Sequence, residues 1–284
     1  MSITLNNQCE LPIGVFDSGV GGLTVLRALQ QQLPSENYLY LGDTARLPYG
    51  TKSPDTIVRY SLQAAAALVE RGVKCLVVAC NTASATALTA LRARYPQLPI
   101  IGVVQPGAQA GCRASLNGRI AVVATEGTVQ GGAYQRAIME LRPDAVVHAI
   151  ACPLFVALAE EGLTSGPIVE AIAHRYLDAV FGAPQAPDTL LLGCTHFPVI
   201  RQALQNVVGS GVVIVDSAQT TANALSSSLL TLGLLKGSDR GESGCVKFMA
   251  TDGRERFARV AAYFLEQHIS TDSVELIDIG VAVS

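Results

Sequence analysis

Short apolar runs that end in polar, glycine-rich turns alternate along this chain with segments of helical period. Residues 12–16 form a buried strand by this pattern and run into Asp17-Ser18-Gly19-Val20-Gly21-Gly22. A helix follows over 23–33, with Leu26 and Leu29 on its apolar side. Strand, glycine turn and helix make a βα unit whose backbone N–H groups face a crevice. A strand over 37–41, a loop over 42–50 and a helix over 53–71 come next. Ser53 caps that helix, Pro54 takes its first position and Gly72 ends it. Residues 74–79 form a third strand with Cys80 at its tip. A helix over 82–95 and a strand over 99–104 complete the series, and Gln105-Pro106-Gly107 is expected to be a crossing point between domains.

The plan then restarts. A strand over 119–124 ends in Thr125-Glu126-Gly127-Thr128, and a helix runs over 134–141. A strand over 145–150, a helix over 168–181 and a strand over 189–193 lead to Cys194. Pro198 opens a further helix to 207. After it come a strand over 211–215, a helix over 218–235, a polar glycine-rich loop over 236–244, a last strand over 246–250 and a helix over 254–267. Asp17 and Thr125 each close the first strand of a half, and Cys80 and Cys194 each close a later one, at nearly equal offsets. Such registration points to internal duplication. The expected fold is α/β, with two pseudo-symmetric doubly wound domains, central mainly parallel sheets and the active site in the cleft between them. The first domain is expected to take 1–105 plus 216–284, and the second 106–215.

Composition narrows the class. Hydrophobic residues make up 49% of the chain and charged residues 15%, as suits parallel strands covered on both faces. The net charge of −3 comes without a long basic run, so no nucleic acid or anionic membrane is expected as a partner. No signal segment or transmembrane stretch is apparent. The 7 cysteines form neither a framework nor a zinc spacing, which suggests free thiols in the cytoplasm and no metal. The glycine turn after residue 16 is not a dinucleotide fingerprint, and the Walker lysine is missing, so no cofactor is expected.

The chemistry lies in the two thiols that end strands. A cysteine at a helix N-terminus sits in a positive field, which lowers its pKa toward neutral. If the two domains face each other at their strand ends, Cys80 and Cys194 approach a bound molecule from opposite sides. One thiolate takes a proton from one face while the other thiol delivers a proton to the opposite face, and a carbon centre inverts. Asp17 belongs near this site, because ligands of open α/β sheets bind at the carboxyl ends of strands. A nucleophilic cysteine would need a histidine base, and His196 lies close only to Cys194. Core packing is the expectation for Cys9, Cys75, Cys112, Cys152 and Cys245.

Four blocks in order carry a resemblance over nearly the whole chain: Phe16-Asp17-Ser18-Gly19-Val20-Gly21-Gly22, Asp43-Thr44-Ala45-Arg46-Leu47-Pro48-Tyr49-Gly50, Ala79-Cys80-Asn81-Thr82-Ala83-Ser84 and Leu192-Gly193-Cys194-Thr195-His196-Phe197-Pro198. The chain resembles the glutamate racemases of the aspartate/glutamate racemase superfamily. The resemblance implies cofactor-independent 1,1-proton transfer on L- and D-glutamate, which supplies D-glutamate for peptidoglycan. It also implies that Cys80 and Cys194 are the acid/bases, Cys80 for D-glutamate and Cys194 for L-glutamate. Asp17, Ser18, Tyr49, Gly50, Asn81, Thr82, Thr195 and His196 match the family's substrate contacts, and Thr125 and Thr128 fall where further contacts are made. A glutamate in the second domain has a supporting role in the family; Glu160 and Glu161 are both candidates, and the sequence does not choose. A homodimer stays open, since members of the family pair in more than one arrangement. An aspartate racemase, a one-cysteine decarboxylase and a two-lobed amino-acid binding protein are the rivals; the paired cysteines argue against the last two.

Overall fold

The computed structural model describes residues 8–237 and 243–280. Most of the expected loop over 236–244, and the first residues of the chain, lie outside them. Two all-parallel sheets dominate. The first has six strands in the order β10-β9-β2-β1-β3-β4, built from β1 (Ile13–Asp17), β2 (Tyr38–Gly42), β3 (Cys75–Val78), β4 (Ile100–Gly102), β9 (Val246–Ala250) and β10 (Val274–Leu276). The second has four in the order β6-β5-β7-β8, built from β5 (Arg119–Ala124), β6 (Val146–Ala151), β7 (Thr189–Gly193) and β8 (Val213–Asp216). The run β2-β1-β3-β4 in one sheet and β6-β5-β7-β8 in the other have the same order. The chain therefore repeats one topology, and the strands that precede Cys80 and Cys194 are equivalent in it.

Central strands read as unbroken apolar runs because helices cover both faces. Every residue of β1, β3 and β7 is buried. A Val or Leu fully buried in this way contributes about 1.5–3 kcal/mol. The helices on the first sheet include α1 (Leu23–Gln32), α2 (Pro54–Glu70), α3 (Asn81–Arg94), α10 (Ser217–Leu232) and α11 (Arg254–Leu265). Two apolar clusters fill its faces. One joins Leu26 and Leu29 to Leu225, Leu229 and Phe264, and the other joins Leu68 to Leu91 and Val78. The second sheet has its own clusters, one around Phe155, Leu177 and Phe197 and one around Tyr134, Ile138 and Leu191.

The chain departs from its sequence pattern in several places. The expected crossing at 105–107 lies inside α4 (Val104–Ala114). Pro106 is tolerated there because it falls in the first turn, whose N–H groups have no intrahelical acceptor. Two short helices were not anticipated, α5 (Glu126–Gly131) and α7 (Pro153–Glu160). They precede and follow α6 (Ala133–Leu141) and β6. Beyond α8 (Pro167–Phe181), the segment after Cys194 is a 3-10 turn over Phe197–Ile200, and α9 (Arg201–Val208) begins only after it. The strand β10 lies after the segment expected to be last. Cys75 and Cys152 are in the core as expected, but Cys9 and Cys112 are half-buried and Cys245 is exposed, so the core expectation fails for Cys245.

Candidate active site

Cys80 directly follows β3 and is the N-cap of α3. Its Sγ accepts from the Ala83 N–H at 3.5 Å and donates to Ser18 Oγ at 3.3 Å. Ser18 belongs to the glycine-rich turn after β1, so the first and third of the four blocks meet at this thiol. Burial pushes the Cys80 thiol up to about 12, and the Asp17 carboxylate adds to the rise. The Ser18 and Ala83 hydrogen bonds act the other way and lose. The expected fall toward neutral is therefore not found: desolvation outweighs the helix-end field.

Asp17 is fully buried. Its Oδ2 accepts from the Gly19 N–H at 2.9 Å, while Oδ1 has no partner. Burial raises its pKa; the charge of His196 and backbone N–H groups oppose that rise. The turn that carries Asp17 is pressed against the second half. Thr24 Oγ1 donates to the Thr195 carbonyl at 3.0 Å, and a Cβ on Gly21 would lie 2.3 Å from His196 Nδ1.

Cys194 follows β7 without a helix behind it, so the helix-end field expected there is absent. Its environment is instead a relay of side chains. Cys194 Sγ lies 3.8 Å from His196 Nδ1, and His196 Nε2 lies 3.1 Å from Glu160 Oε1. Arg256 Nη2 donates to Glu160 Oε2 at 2.8 Å. Burial disfavours a charged imidazole at His196, but its hydrogen bonds with Cys194 and Glu160 prevail and raise it to about 10. Burial likewise opposes charge on Glu160, and the hydrogen bond from His196 with the Arg256 guanidinium holds its carboxyl below the usual range. Of the two glutamates that the sequence left open, Glu160 faces His196, while Glu161 is exposed.

Hydroxyls from both halves converge beside Cys80. Thr82 Oγ1 lies 3.0 Å from Thr125 Oγ1 and 3.2 Å from Thr128 Oγ1, and the latter two are 3.0 Å apart. Thr125 is the N-cap of α5, and Gly50 abuts it so closely that a Cβ there would lie 2.8 Å from Thr125 Cβ. Tyr49 is buried, and its Oη donates to Asp43 Oδ2 at 2.5 Å. Burial and the Asp43 charge raise its pKa, so it stays a neutral donor. Asn81 Oδ1 accepts from Tyr134 Oη at 2.6 Å, and Asn81 Nδ2 is buried without a partner. All twelve residues singled out in the sequence lie in this cluster or on the loops that form it. The sequence pattern gave no warning of Tyr134 or Arg256; aromatic and charged residues outside the four blocks carry no signal of which neighbour they will meet.

Two thiols at the ends of equivalent strands, with hydroxyls from both halves meeting near one of them, define a two-lobed α/β protein. Comparison with known proteins agrees in kind. Residues 13–225 match the Asp/Glu/Hydantoin racemase family, and the chain belongs to it. It is 46% identical over 253 residues to a glutamate racemase of Geobacter metallireducens, covering 89% of this chain and 92% of that one. It is 44% identical over 278 residues to a glutamate racemase of Beutenbergia cavernae, covering 94% of each. The crystal structure of Francisella tularensis glutamate racemase in complex with D-glutamate superposes with a TM-score of 0.87 at 34% identity, over 96% of this chain and 99% of that one. Among the described residues no helix is long and apolar enough to cross a membrane.

Proposed function

We infer that this protein is a glutamate racemase, which interconverts L- and D-glutamate without a cofactor and supplies D-glutamate for peptidoglycan synthesis. The observation that carries this is the equivalent placement of Cys80 and Cys194 after β3 and β7, in a chain that is similar to glutamate racemases in both sequence and structure.

The roles of the residues follow from their surroundings. As the family resemblance implies, Cys194 is the base for L-glutamate and Cys80 the base for D-glutamate. L-glutamate then gives up its α-proton toward Cys194, and Cys80 delivers a proton to the opposite face. The product is D-glutamate, and the enzyme is left in the form that acts on D-glutamate. His196 and Glu160 hold a proton beside Cys194, and Asp17 lies beside Cys80, so each thiol has a nearby group able to offset its change of charge. Asn81 Nδ2 and the hydroxyls of Ser18, Thr82, Thr125, Thr128 and Thr195, with Tyr49 and Gly50 behind them, offer donors for two carboxylates. Asp17 Oδ1 offers an acceptor for the ammonium.

The domain division belongs to the same proposal: residues 1–105 with 216–284, and 106–215. The strand β8 ends at Asp216, and α10 then packs on α1 of the first sheet. A cytoplasmic location rests on the 7 cysteines, whose spacing forms no disulfide framework, and a homodimer is carried over from the family resemblance, to be read by light scattering. The test of function is polarimetry of L-glutamate with purified protein and no added cofactor. Rotation is expected to decay to zero. Decay with aspartate but not glutamate would overturn the substrate, and binding of both without decay would favour a two-lobed binding protein.

A further inference from the structure

We propose that Arg256 is a positioning residue for the Cys194 half of the reaction, acting through Glu160 and His196; this rests on the two-thiol mechanism above. Three contacts in series support it: Arg256 to Glu160 at 2.8 Å, Glu160 to His196 at 3.1 Å, and His196 to Cys194 at 3.8 Å. The relay passes between the halves. Arg256 comes from α11, whose Phe257, Val260 and Phe264 are part of the first sheet's core. Glu160 ends α7 and His196 follows β7, both of the second. Among the described residues, Arg256–Glu160 is the one salt bridge that joins elements of the two sheets.

Glu160 needs such a partner. It is the last residue of α7, where the helix dipole disfavours a carboxylate. Its side chain is only 16% exposed, so water cannot fully take the place of a cation. A cavity of about 120 Å³ opens beside it, lined by Thr44, Leu47, Asp252 and Phe257 as well as by the pair itself. A released Glu160 therefore has room to swing away from His196. The planar guanidinium fixes Oε2, and this leaves Oε1 facing the imidazole. Phe264, edge-on to the ring at 5.3 Å, limits how far His196 can follow a displaced carboxylate.

The test compares Arg256→Met with Arg256→Lys. A racemase has an equilibrium constant of one, so kcat/KM falls equally in both directions in any variant and cannot reveal a one-sided defect. Exchange can. In deuterated water, Cys80 removes the α-proton of D-glutamate, and a misplaced Cys194 side fails to complete inversion, so the carbanion waits long enough for the Cys80 thiol to exchange that proton with solvent and return a deuteron to the face it came from. For Arg256→Met we expect racemisation to fall about tenfold, and the ratio of α-deuterated D-glutamate to L-glutamate to rise about threefold or more. Arg256→Lys should restore most of both. Racemisation and exchange falling together, or neither changing, would overturn the proposal. A readout independent of turnover is the His196 Nε2 proton, which the Glu160 hydrogen bond should protect from solvent exchange. With only 4 histidines in the chain it can be assigned in the ligand-free protein. It should be present in the wild type and Arg256→Lys and lost in Arg256→Met; its persistence in Arg256→Met would overturn the proposal. If the wild type does not racemise glutamate, the mechanism fails while this resonance still decides what Arg256 holds.

Discussion

Tyr134 donates a 2.6 Å hydrogen bond to Asn81 Oδ1, and this bond ties a helix of the second sheet to the first residue of α3. Tyr134 is 1% exposed, and burial raises its pKa, so it is a neutral donor at every working pH. Asn81 must then present Nδ2 away from it, and that nitrogen is buried and unpartnered. Tyr134→Phe frees the amide to turn. One neutral hydrogen bond corresponds to about a 3- to 10-fold effect, so KM should rise by that factor for both antipodes while kcat changes less. Steady-state kinetics in both directions check this.

Gly21 leaves no room for a side chain where the halves meet. A Cβ there would lie 2.3 Å from His196 Nδ1 and 2.5 Å from Thr195 Oγ1. Gly21→Ala must displace the imidazole or part the halves. A displacement of this size costs on the order of 100-fold in kcat/KM. Gly131→Ala, with nothing within 4 Å of the added carbon, serves as a control and should leave kcat/KM unchanged.

The raised pKa of His196 has a signature in stability. A group that holds its proton more tightly when folded stabilises the fold below its unfolded pKa, and that contribution fades as pH rises through its folded value. For His196 the window runs from 6.5 to about 10. The wild type should therefore lose its stability advantage over His196→Asn across that window. The Cys80 thiol works with the same sign from 9.0 to about 12 and is common to both proteins. Urea midpoints of the pair between pH 6 and pH 10 measure the difference.

Thiol reactivity should follow burial and proton affinity. Cys245 is exposed, whereas Cys80 and Cys194 are each 5% exposed. Iodoacetamide at neutral pH should label Cys245 first, with activity retained, and Cys80 at least about tenfold more slowly. Peptide mass spectrometry against residual activity gives both rates.

The sequence shows the strands more clearly than the loops between them. The segments at 119–124 and 189–193 match β5 and β7 residue for residue, because a strand buried on both faces needs continuous hydrophobicity; 246–250 matches β9 as well, although its Lys247 is exposed. The helix α4 was hidden by Pro106 and Gly107, which read as breakers but sit where the first turn tolerates them. The helix α7 was hidden because Leu154-Phe155-Val156-Ala157-Leu158-Ala159 is apolar all round and has no helical stripe. The two thiols were visible as strand ends, yet their proton affinities were not. Burial decides the proton on Cys80, and burial is a property of how the halves close. The relay beside Cys194 joins residues 160, 196 and 256, and no spacing in the sequence reports such a meeting.

The most direct measurement follows the fate of L-glutamate in deuterated water with wild type, Cys80→Ser and Cys194→Ser. The wild type should produce D-glutamate that carries deuterium at the α-carbon, with both serine variants slowed by about 1,000-fold or more. Racemisation that survives loss of either thiol would contradict the two-thiol mechanism, as would D-glutamate that retains the original α-proton.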